Sequence, residues 1–414
     1  MRMHTSTSHF LRSAVLLIVA SLYNLSASAD EFLTQNGIDY TLLGDTAIVT
    51  SISKTSVGTT LNIPSTVTSK VTGNAHRVTT IGRSAAENNL ILEKVTYRSN
   101  LKYIESYAFR GCKNLKGFAL YDSRLKSNLV SIGREAFFGC TALGTANTHG
   151  TFELTSQVAL NIDINVFENC TSIQDLNVKS ATKLTIGSEA FKGCTALVTA
   201  YIDKCSTFGY GAFRNCTNLK SVNLGSATHV TLGSYFCYSC PAFTNLYANG
   251  LGNGFSVVDK VGDGAFQDCT NLKWHNLGAV REIGNYAFKN CTGLTSLSLG
   301  SLETIGRNAF EGLTLGALTI PQTLKNFANL AFYGINTDVV YVYSQAVANA
   351  TDVEPFGGNP IFTKLHFRNV EEINGTIFKN KDQVTTMTFD SNLRTIGDGV
   401  FQGMRKLQEL NIDN

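Results

Sequence analysis

Apolar residues recur along this chain in a fixed pattern. From Ile186 to Leu197, in the stretch IGSEAFKGCTAL, isoleucine is followed by alanine after four residues, phenylalanine after five, cysteine after eight and leucine after eleven. Two more apolar positions follow, fourteen and sixteen residues after the isoleucine. Ten of the same twelve residues occur from Ile132 to Leu143, as IGREAFFGCTAL. The pattern predicts a repeated structural unit.

The unit begins about fourteen times, at intervals of 22 to 30 residues. Its copies begin at Ile81, Ile104, Ile132, Ile162, Ile186, Phe208, Leu232, Val261, Ile283, Ile305, Phe327, Thr351, Ile373 and Ile396. One unit has nothing against which to pack its apolar residues, whereas stacked units bury them in a continuous core. The sequence therefore predicts a repeat solenoid, built mostly of strands and loops.

Each unit contains two segments that are expected to lie on opposite walls of the solenoid. The segment LKSVNL, from Leu219 to Leu224, alternates apolar and polar residues and predicts a short parallel strand. The IGxxAF segment is expected to form the other wall, with alanine allowing close approach and phenylalanine filling the core. The glycine after the isoleucine is expected to adopt a positive φ.

The combined motif IGxxAFxGCxxLxxLxL resembles the BspA-like subgroup of leucine-rich repeats. The resemblance covers residues 81–414 and implies a curved stack with a parallel β-sheet on one face. It also implies surface adhesion, to host extracellular proteins or to other cells. Residues 30–80 resemble the entry segment of that family: NGIDYTLLGDTAIVT is expected to form a hairpin, and the segment is expected to cap the first repeat.

Eight of the ten cysteines occupy one position of the repeat. They are Cys112, Cys140, Cys170, Cys194, Cys216, Cys240, Cys269 and Cys291. Leu313, Ile335 and Met404 stand there in other copies, which favours core packing, because a free cysteine behaves as a small buried hydrophobe. Disulfides between neighbouring turns remain an alternative in an exported chain. The sequence CYSC, which ends at Cys240, also leaves a redox or zinc site open, and Cys205 has no explanation.

The N-terminus and the charge balance limit the compartment and the partners. Residues 1–29 have Arg2 and Arg12, then an apolar run, then small residues, and they predict a secretory signal peptide cleaved before Asp30. Without them, 32 basic and 31 acidic side chains remain. This near-neutral balance argues against nucleic acid as a partner. We expect a secreted or cell-surface protein that does not insert into the membrane after signal cleavage.

The sequence contains no recognised catalytic or cofactor motif. It has no HExxH spacing, GxSxG elbow or phosphate-binding loop. The histidines outside the signal segment are scattered, and the acidic residues show no recurrent pairing. We therefore expect a protein that is not an enzyme and that has no catalytic residues, cofactor or metal.

Function is expected on the outward side chains of the predicted strands. The residue between the two apolar strand positions forms a polar row with several tyrosines, to which the copy from Ile132 contributes Asn147, and VVYVY contributes Tyr341 or Tyr343. The candidate binding face comprises Tyr201, Asn223, Tyr247, Trp274 and Asn276. Tyrosine and tryptophan are enriched in binding hot spots. A simply solvated strand face is the alternative.

These patterns favour recognition of a protein ligand. A carbohydrate-binding or envelope-structural module is the alternative function, because tyrosines interleaved with asparagines also suit sugar rings and their hydroxyl groups.

Overall fold

The computed structural model describes residues 31–55, 58–146, 149–250, 252–273, 276–357 and 362–412. Over these residues the chain is a parallel β-solenoid of about 14 turns with almost no helix. The predicted solenoid is therefore confirmed. The predicted signal peptide, residues 1–29, and Trp274 lie outside the described residues.

The solenoid begins with an antiparallel meander. Glu31–Gln35 pairs with Ile38–Leu43, which pairs with Thr46–Ile52. The first turn has positive φ at Asn36 and at Gly37, as a two-residue hairpin turn requires. Thr46–Ile52 then pairs in parallel with Ala75–Ile81, so the expected hairpin joins the first turn of the repeats directly.

One wall, which we call the isoleucine wall, contains the strands that end at the isoleucine position of each copy. After the meander it is parallel, and Thr66–Thr68 pairs antiparallel with its first strand at one side. Its strands are Ala75–Ile81, Tyr103–Ile104, Ser131–Ile132, Leu160–Ile162, Leu184–Ile186, Cys205–Phe208, Val230–Leu232, Val258–Val261, Glu282–Ile283, Thr304–Ile305 and Asn326–Phe327. Glu372–Ile373 and Thr395–Ile396 form a separate parallel pair.

The opposite wall, the leucine wall, contains the predicted strands and is divided into three sheets. The first has Thr60–Asn62, Lys94–Tyr97 and Gly117–Leu120; the second has Thr151–Ser156, Asp175–Ser180, Thr199–Ile202, Ser221–Asn223 and Asn245–Tyr247; the third has Thr314–Ile320, Asn336–Val342, Lys364–Phe367, Thr386–Phe389 and Glu409–Ile412. The parallel sheet expected on one face is thus accompanied by a second parallel sheet opposite.

Two short helices interrupt the strands. A 3-10 helix spans Gly254–Val257, and an α-helix spans Gln345–Ala348, where the Ser344 side chain accepts a hydrogen bond from the Val347 N–H at 3.1 Å. The α-helix stands where the isoleucine wall would otherwise continue from Asn326–Phe327 to Glu372–Ile373.

The core between the walls consists of repeated columns of side chains. The phenylalanine column stacks ring on ring: Phe137 lies 5.3 Å from Phe167 at an interplanar angle of 12°, and Phe167 lies 5.3 Å from Phe191 at 6°. The copy from Leu232 has Cys237 at the phenylalanine position and Phe236 at the alanine position. Phe236 still contacts the column, edge-on to Phe213 at 5.5 Å.

The cysteine column packs in this core and is also a ladder of hydrogen bonds. All ten cysteines are free and buried. Each of the eight column thiols donates to a backbone carbonyl of the preceding turn, as Cys170 does to Phe137 O at 3.2 Å and Cys194 to Phe167 O at 3.2 Å. The packing interpretation is confirmed, and the S–H···O bonds explain why cysteine is preferred over a purely apolar residue of similar size.

The cysteine position also accepts two polar side chains that the sequence analysis did not include. In the copy from Ile81 it holds the buried Asn89, whose amide donates to Ser53 O at 3.2 Å. In the copy from Ile373 it holds Lys381, whose side chain is only 3% exposed and whose Nζ lies 2.9 Å from Gly357 O and 3.1 Å from Glu354 Oε2. The position therefore requires a hydrogen-bond donor or an apolar group, rather than an apolar group alone.

The glycine after the isoleucine has a different role from the expected one. Gly133, Gly187 and Gly209 do not have positive φ. Instead, a Cβ at Gly187 would lie 2.6 Å from the backbone carbonyl carbon of Asp163 in the preceding turn. The positive φ occurs two residues after this glycine, for example at Glu189, where φ is 54°. The expected reason was wrong: close approach of backbones, not backbone conformation, requires this glycine.

Candidate recognition face

The second sheet of the leucine wall brings several of the predicted site residues into one row. Tyr201 is in register with Asn223, and Asn223 with Tyr247. Their neighbours in the strands, such as Val222 and Leu246, are buried. Because side chains alternate along a strand, the three named residues point away from the core, and all three are half-buried. We call Tyr201, Asn223 and Tyr247 the tyrosine row.

Contacts with neighbouring side chains limit the freedom of the two tyrosine rings. The Lys179 ammonium lies 5.1 Å from the centre of the Tyr201 ring, a cation–π distance. Partial burial, and secondarily the charge of Asp203, raises the pKa of Tyr201. The Tyr247 hydroxyl oxygen accepts a hydrogen bond from the Asn245 side-chain amide at 2.9 Å. Ordering two aromatic rings before binding reduces the entropy lost on complex formation.

The remaining two predicted residues are not in this sheet. Asn276 is exposed and pairs with Ser298 in an isolated parallel bridge, and its Oδ1 accepts a hydrogen bond from the Gly278 N–H at 3.0 Å. It lies in the next turn along the stack after Tyr247. Trp274 is outside the described residues, so its membership of the face stays a prediction.

The structure replaces one predicted member of the outward row with another residue. Glu153, not Asn147, is in register with Asn177, and the Asn177 amide donates to Glu153 Oε1 at 3.3 Å. The copy from Ile132 is 30 residues long, and its extra residues move the strand to Thr151–Ser156. The alternating stretch TFELTS was the available signal for this shift. Asn147 itself lies outside the described residues.

In the third sheet, the strand register shows whether Tyr341 or Tyr343 belongs to the outward row. Tyr341 is in register with His366, and the two rings stack at 4.9 Å with an interplanar angle of 19°. Tyr341 therefore belongs to the outward row that runs on to Thr388 and Asn411.

A second aromatic group, which the sequence analysis missed, lies on the edge formed by the GxxAF turns. Tyr210 and Tyr235 have ring centres 5.2 Å apart, and Tyr238 lies 5.3 Å from Tyr235. The Arg214 guanidinium lies 5.2 Å from the Tyr238 ring. Tyr210 stands two positions after the start of its copy, Tyr235 three and Tyr238 six. These spacings alone could have shown that the residues share an edge.

The cysteines outside the regular column are also part of the core. Cys205 begins the strand Cys205–Phe208, is in register with Leu184, and donates to Thr207 O at 3.3 Å. Cys237 is fully buried, and its carbonyl accepts the Cys269 thiol at 3.0 Å. Within the described part of the chain, no group of three or more His, Cys, Asp or Glu side chains is placed to hold a metal ion.

Comparisons with known proteins bear on the fold. The family model described as the BspA type leucine-rich repeat region matches residues 62–159, 120–244, 149–273, 254–338 and 354–414. No curated protein matches the chain. No helix among the described residues is long and apolar enough to cross a membrane.

Solved structures that are similar to this chain have low sequence identity to it. A leucine-rich cell surface protein from Faecalibacterium prausnitzii is 16% identical, with 94% of this chain and 96% of that chain covered and a TM-score of 0.44. A leucine-rich repeat protein from Bacteroides ovatus is 17% identical, with 93% and 81% covered and a TM-score of 0.44. The pneumococcal vaccine antigen PcpA is 18% identical, with 90% and 100% covered and a TM-score of 0.49.

Proposed function

Since the chain belongs to the BspA-type leucine-rich repeat family, whose repeats suggest a protein-interaction or surface role, we propose that it is a non-enzymatic, exported or cell-surface recognition protein. Its ligand is a protein, presented by a host matrix or by another cell. The ligand binds across the tyrosine row, with Asn276 and Trp274 extending the contact along the stack.

The observation that carries this proposal is the register of Tyr201, Asn223 and Tyr247 in one sheet. Two half-buried aromatic rings separated by an amide combine apolar contact area with hydrogen-bonding groups, the composition typical of interface hot spots. The adjacent strands also offer Lys179 and Glu153, so the face has charges of both signs and no strong field of either.

The test is a binding screen of residues 30–414 against paired arrays of extracellular matrix proteins and glycans. We expect selective binding to a matrix or cell-surface protein, weakened at least about tenfold by the double substitution Tyr201→Ala and Tyr247→Ala. Trp274→Ala is expected to weaken the same interaction.

The matched control replaces exposed tyrosines elsewhere. Tyr210 and Tyr333 are 42% and 44% exposed and lie outside the leucine-wall sheets, so Tyr210→Ala with Tyr333→Ala should leave the affinity unchanged. Equal loss in both double variants would contradict the placement of the site. Selective binding to glycans through the tyrosine row would instead support the carbohydrate-binding alternative.

A further inference from the structure

A cavity of about 560 Å³ lies on the outside of the isoleucine wall, opposite the wall that contains the tyrosine row. Its volume is within the range of ligand-binding clefts. Four consecutive strands contribute side chains that are in register across it, Lys260, Glu282, Thr304 and Asn326. We call this cavity the isoleucine-wall groove.

The floor of the groove is backbone. Gly262, Gly284 and Gly306 line it, and a Cβ at each of them would lie only 2.4 to 2.6 Å from backbone atoms of the preceding turn. These glycines let neighbouring turns pack closely, and the floor they form has no side chains. It lies between the row from Lys260 to Asn326 on one side and Ser234, Asp263 and Asn285 on the other.

The polar groups of the groove are partly engaged and partly available. Asp263 and Asn285 each accept a backbone N–H of the next turn, at 2.7 and 2.8 Å, and Lys260 pairs with Glu282 at 2.7 Å. The side chains of Ser234, Thr304 and Asn326, by contrast, make no hydrogen bond to another described residue. They provide two hydroxyl groups and an amide.

An aromatic ring closes one end of the groove. Phe327 is half-buried and lines the cavity beside Ala328. Hydroxyl and amide groups beside a half-buried aromatic side chain suit a sugar, whose hydroxyl groups need hydrogen-bond partners and whose C–H groups can contact apolar surface. The Lys260–Glu282 pair neutralises itself, so the groove has no excess of positive charge for an anionic polymer.

The spacing of the groove favours a particular shape of ligand. Equivalent positions recur at every turn, roughly 4.8 Å apart. An extended peptide advances roughly 3.3 Å per residue and falls out of step with the turns. A pyranose unit in a linear glycan advances by about one turn, so successive units meet equivalent groups.

We propose that the isoleucine-wall groove binds a linear, uncharged oligosaccharide that runs along the solenoid axis from Lys260 to Phe327. This site is separate from the tyrosine row and does not depend on the protein ligand proposed above.

The experiment is calorimetric titration of residues 30–414 with linear hexasaccharides of β-linked glucose, N-acetylglucosamine and mannose, and with an extended polar hexapeptide. We expect saturable binding of at least one hexasaccharide and none of the peptide. Thr304→Trp fills the groove and should weaken this binding at least about tenfold, and Asn326→Ala should weaken it through the lost amide.

The chain offers matched controls in the same column of the same wall. Thr185 and Asn161 are outward and exposed but lie outside the groove, so Thr185→Trp and Asn161→Ala should leave the binding unchanged. Unchanged thermal midpoints in all four variants would show that each is folded. The proposal is overturned if none of the hexasaccharides binds, if the peptide binds in their place, or if Thr304→Trp and Thr185→Trp affect binding equally.

The test of the isoleucine-wall groove can be distinguished from the test of the tyrosine row. The double substitution Tyr201→Ala and Tyr247→Ala should leave hexasaccharide binding intact, and Thr304→Trp should leave protein binding intact. If hexasaccharide binding is lost with the tyrosines and kept in Thr304→Trp, the groove is not the glycan site.

Discussion

At the scale of single residues, the cysteines show how burial and hydrogen bonding act on the same group. Cys140 is fully buried and donates to Phe109 O at 3.1 Å. A thiolate could not donate, and it would lose its hydration in the core, so both effects favour the protonated form. Burial raises the pKa of Cys112 and that of Cys205 to about 12, and that of Cys140 well above its usual value of 9.0.

These shifts predict a specific loss of stability in alkali. Well below pH 9 the thiols are protonated in both folded and unfolded chains, so they add no pH dependence to the free energy of unfolding. As the pH rises above 9, the unfolded chain loses thiol protons first, and the free energy of unfolding falls by up to about 1.4 kcal/mol per pH unit for each thiol.

Denaturant unfolding between pH 7 and 10.5 tests this prediction. Cys112→Ala should reduce the alkaline slope by up to about 1.4 kcal/mol per pH unit, whereas a slope that is the same in the variant would contradict it. Thiol titration under denaturing, non-reducing conditions should find all ten cysteines free. Four or five disulfides would refute the packing interpretation.

At the scale of one element, the glycine after the isoleucine sets the distance between turns. We expect Gly187→Ala to lower the free energy of unfolding by about 1–3 kcal/mol. The new Cβ would lie 2.6 Å from the Asp163 backbone, so the two turns would have to move apart. Gly300→Ala is the matched control, since a Cβ there would have no atom within 4 Å. Urea unfolding of both variants provides the measurement, and equal losses would show that close approach is not the cause.

The same elements show what the sequence could and could not predict. Phe191 and Cys194 recur at fixed spacing, so periodicity alone was enough to predict their columns and the solenoid. The role of Gly187 was not accessible, because periodicity shows that glycine is required but not whether φ or a neighbouring backbone requires it. The second sheet, on the isoleucine wall, was missed because strands such as Glu282–Ile283 have two residues and are too short to alternate.

Part of the candidate site could be predicted from the sequence, because counting residues from the start of a copy works where no extra residues precede the strand. Tyr201, Asn223 and Tyr247 belong to copies of 22, 24 and 29 residues. In the 29-residue copy the extra residues follow the strand Asn245–Tyr247, so counting places all three correctly. In the 30-residue copy from Ile132, counting reached Asn147 instead of Glu153, because extra loop residues change the register of the strand that follows. The groove was not predictable at all, since it arises between turns rather than within one.

At the scale of the whole molecule, the interruptions of the two walls are staggered. Among the described residues, the leucine wall has no paired strand of two or more residues between its second and third sheets, but isolated bridging such as that of Asn276 to Ser298. The isoleucine wall is continuous there, through Val258–Val261, Glu282–Ile283 and Thr304–Ile305. Conversely, the leucine wall is continuous beside the helix Gln345–Ala348, where the isoleucine wall is interrupted. At both places the turns are therefore coupled mainly by one wall.

This arrangement predicts where a substitution makes the two parts of the stack unfold separately. Gly284→Ala places a Cβ 2.6 Å from the Asp263 backbone nitrogen in the isoleucine wall, beside the weak part of the leucine wall. In a stack with mainly nearest-neighbour coupling, we expect it to split unfolding into two transitions. Gly187→Ala, where both walls are paired, should lower stability and keep one transition. Calorimetry of the two variants distinguishes these results, and a single transition in Gly284→Ala would contradict the prediction.

The thiol ladder has a consequence for how such a chain grows over generations. Within the ladder, the cysteine of a unit donates its S–H to the unit before it, and the residue at the phenylalanine position accepts with its carbonyl from the cysteine of the unit after it. Cys194 donates to Phe167 in this way, and Phe191 accepts from Cys216. A duplicated unit brings one donor and one acceptor, and a deleted unit removes one of each. The ladder therefore closes again after either event, so duplication of a unit can lengthen the protein, and deletion can shorten it, without leaving an unpaired thiol donor in its interior.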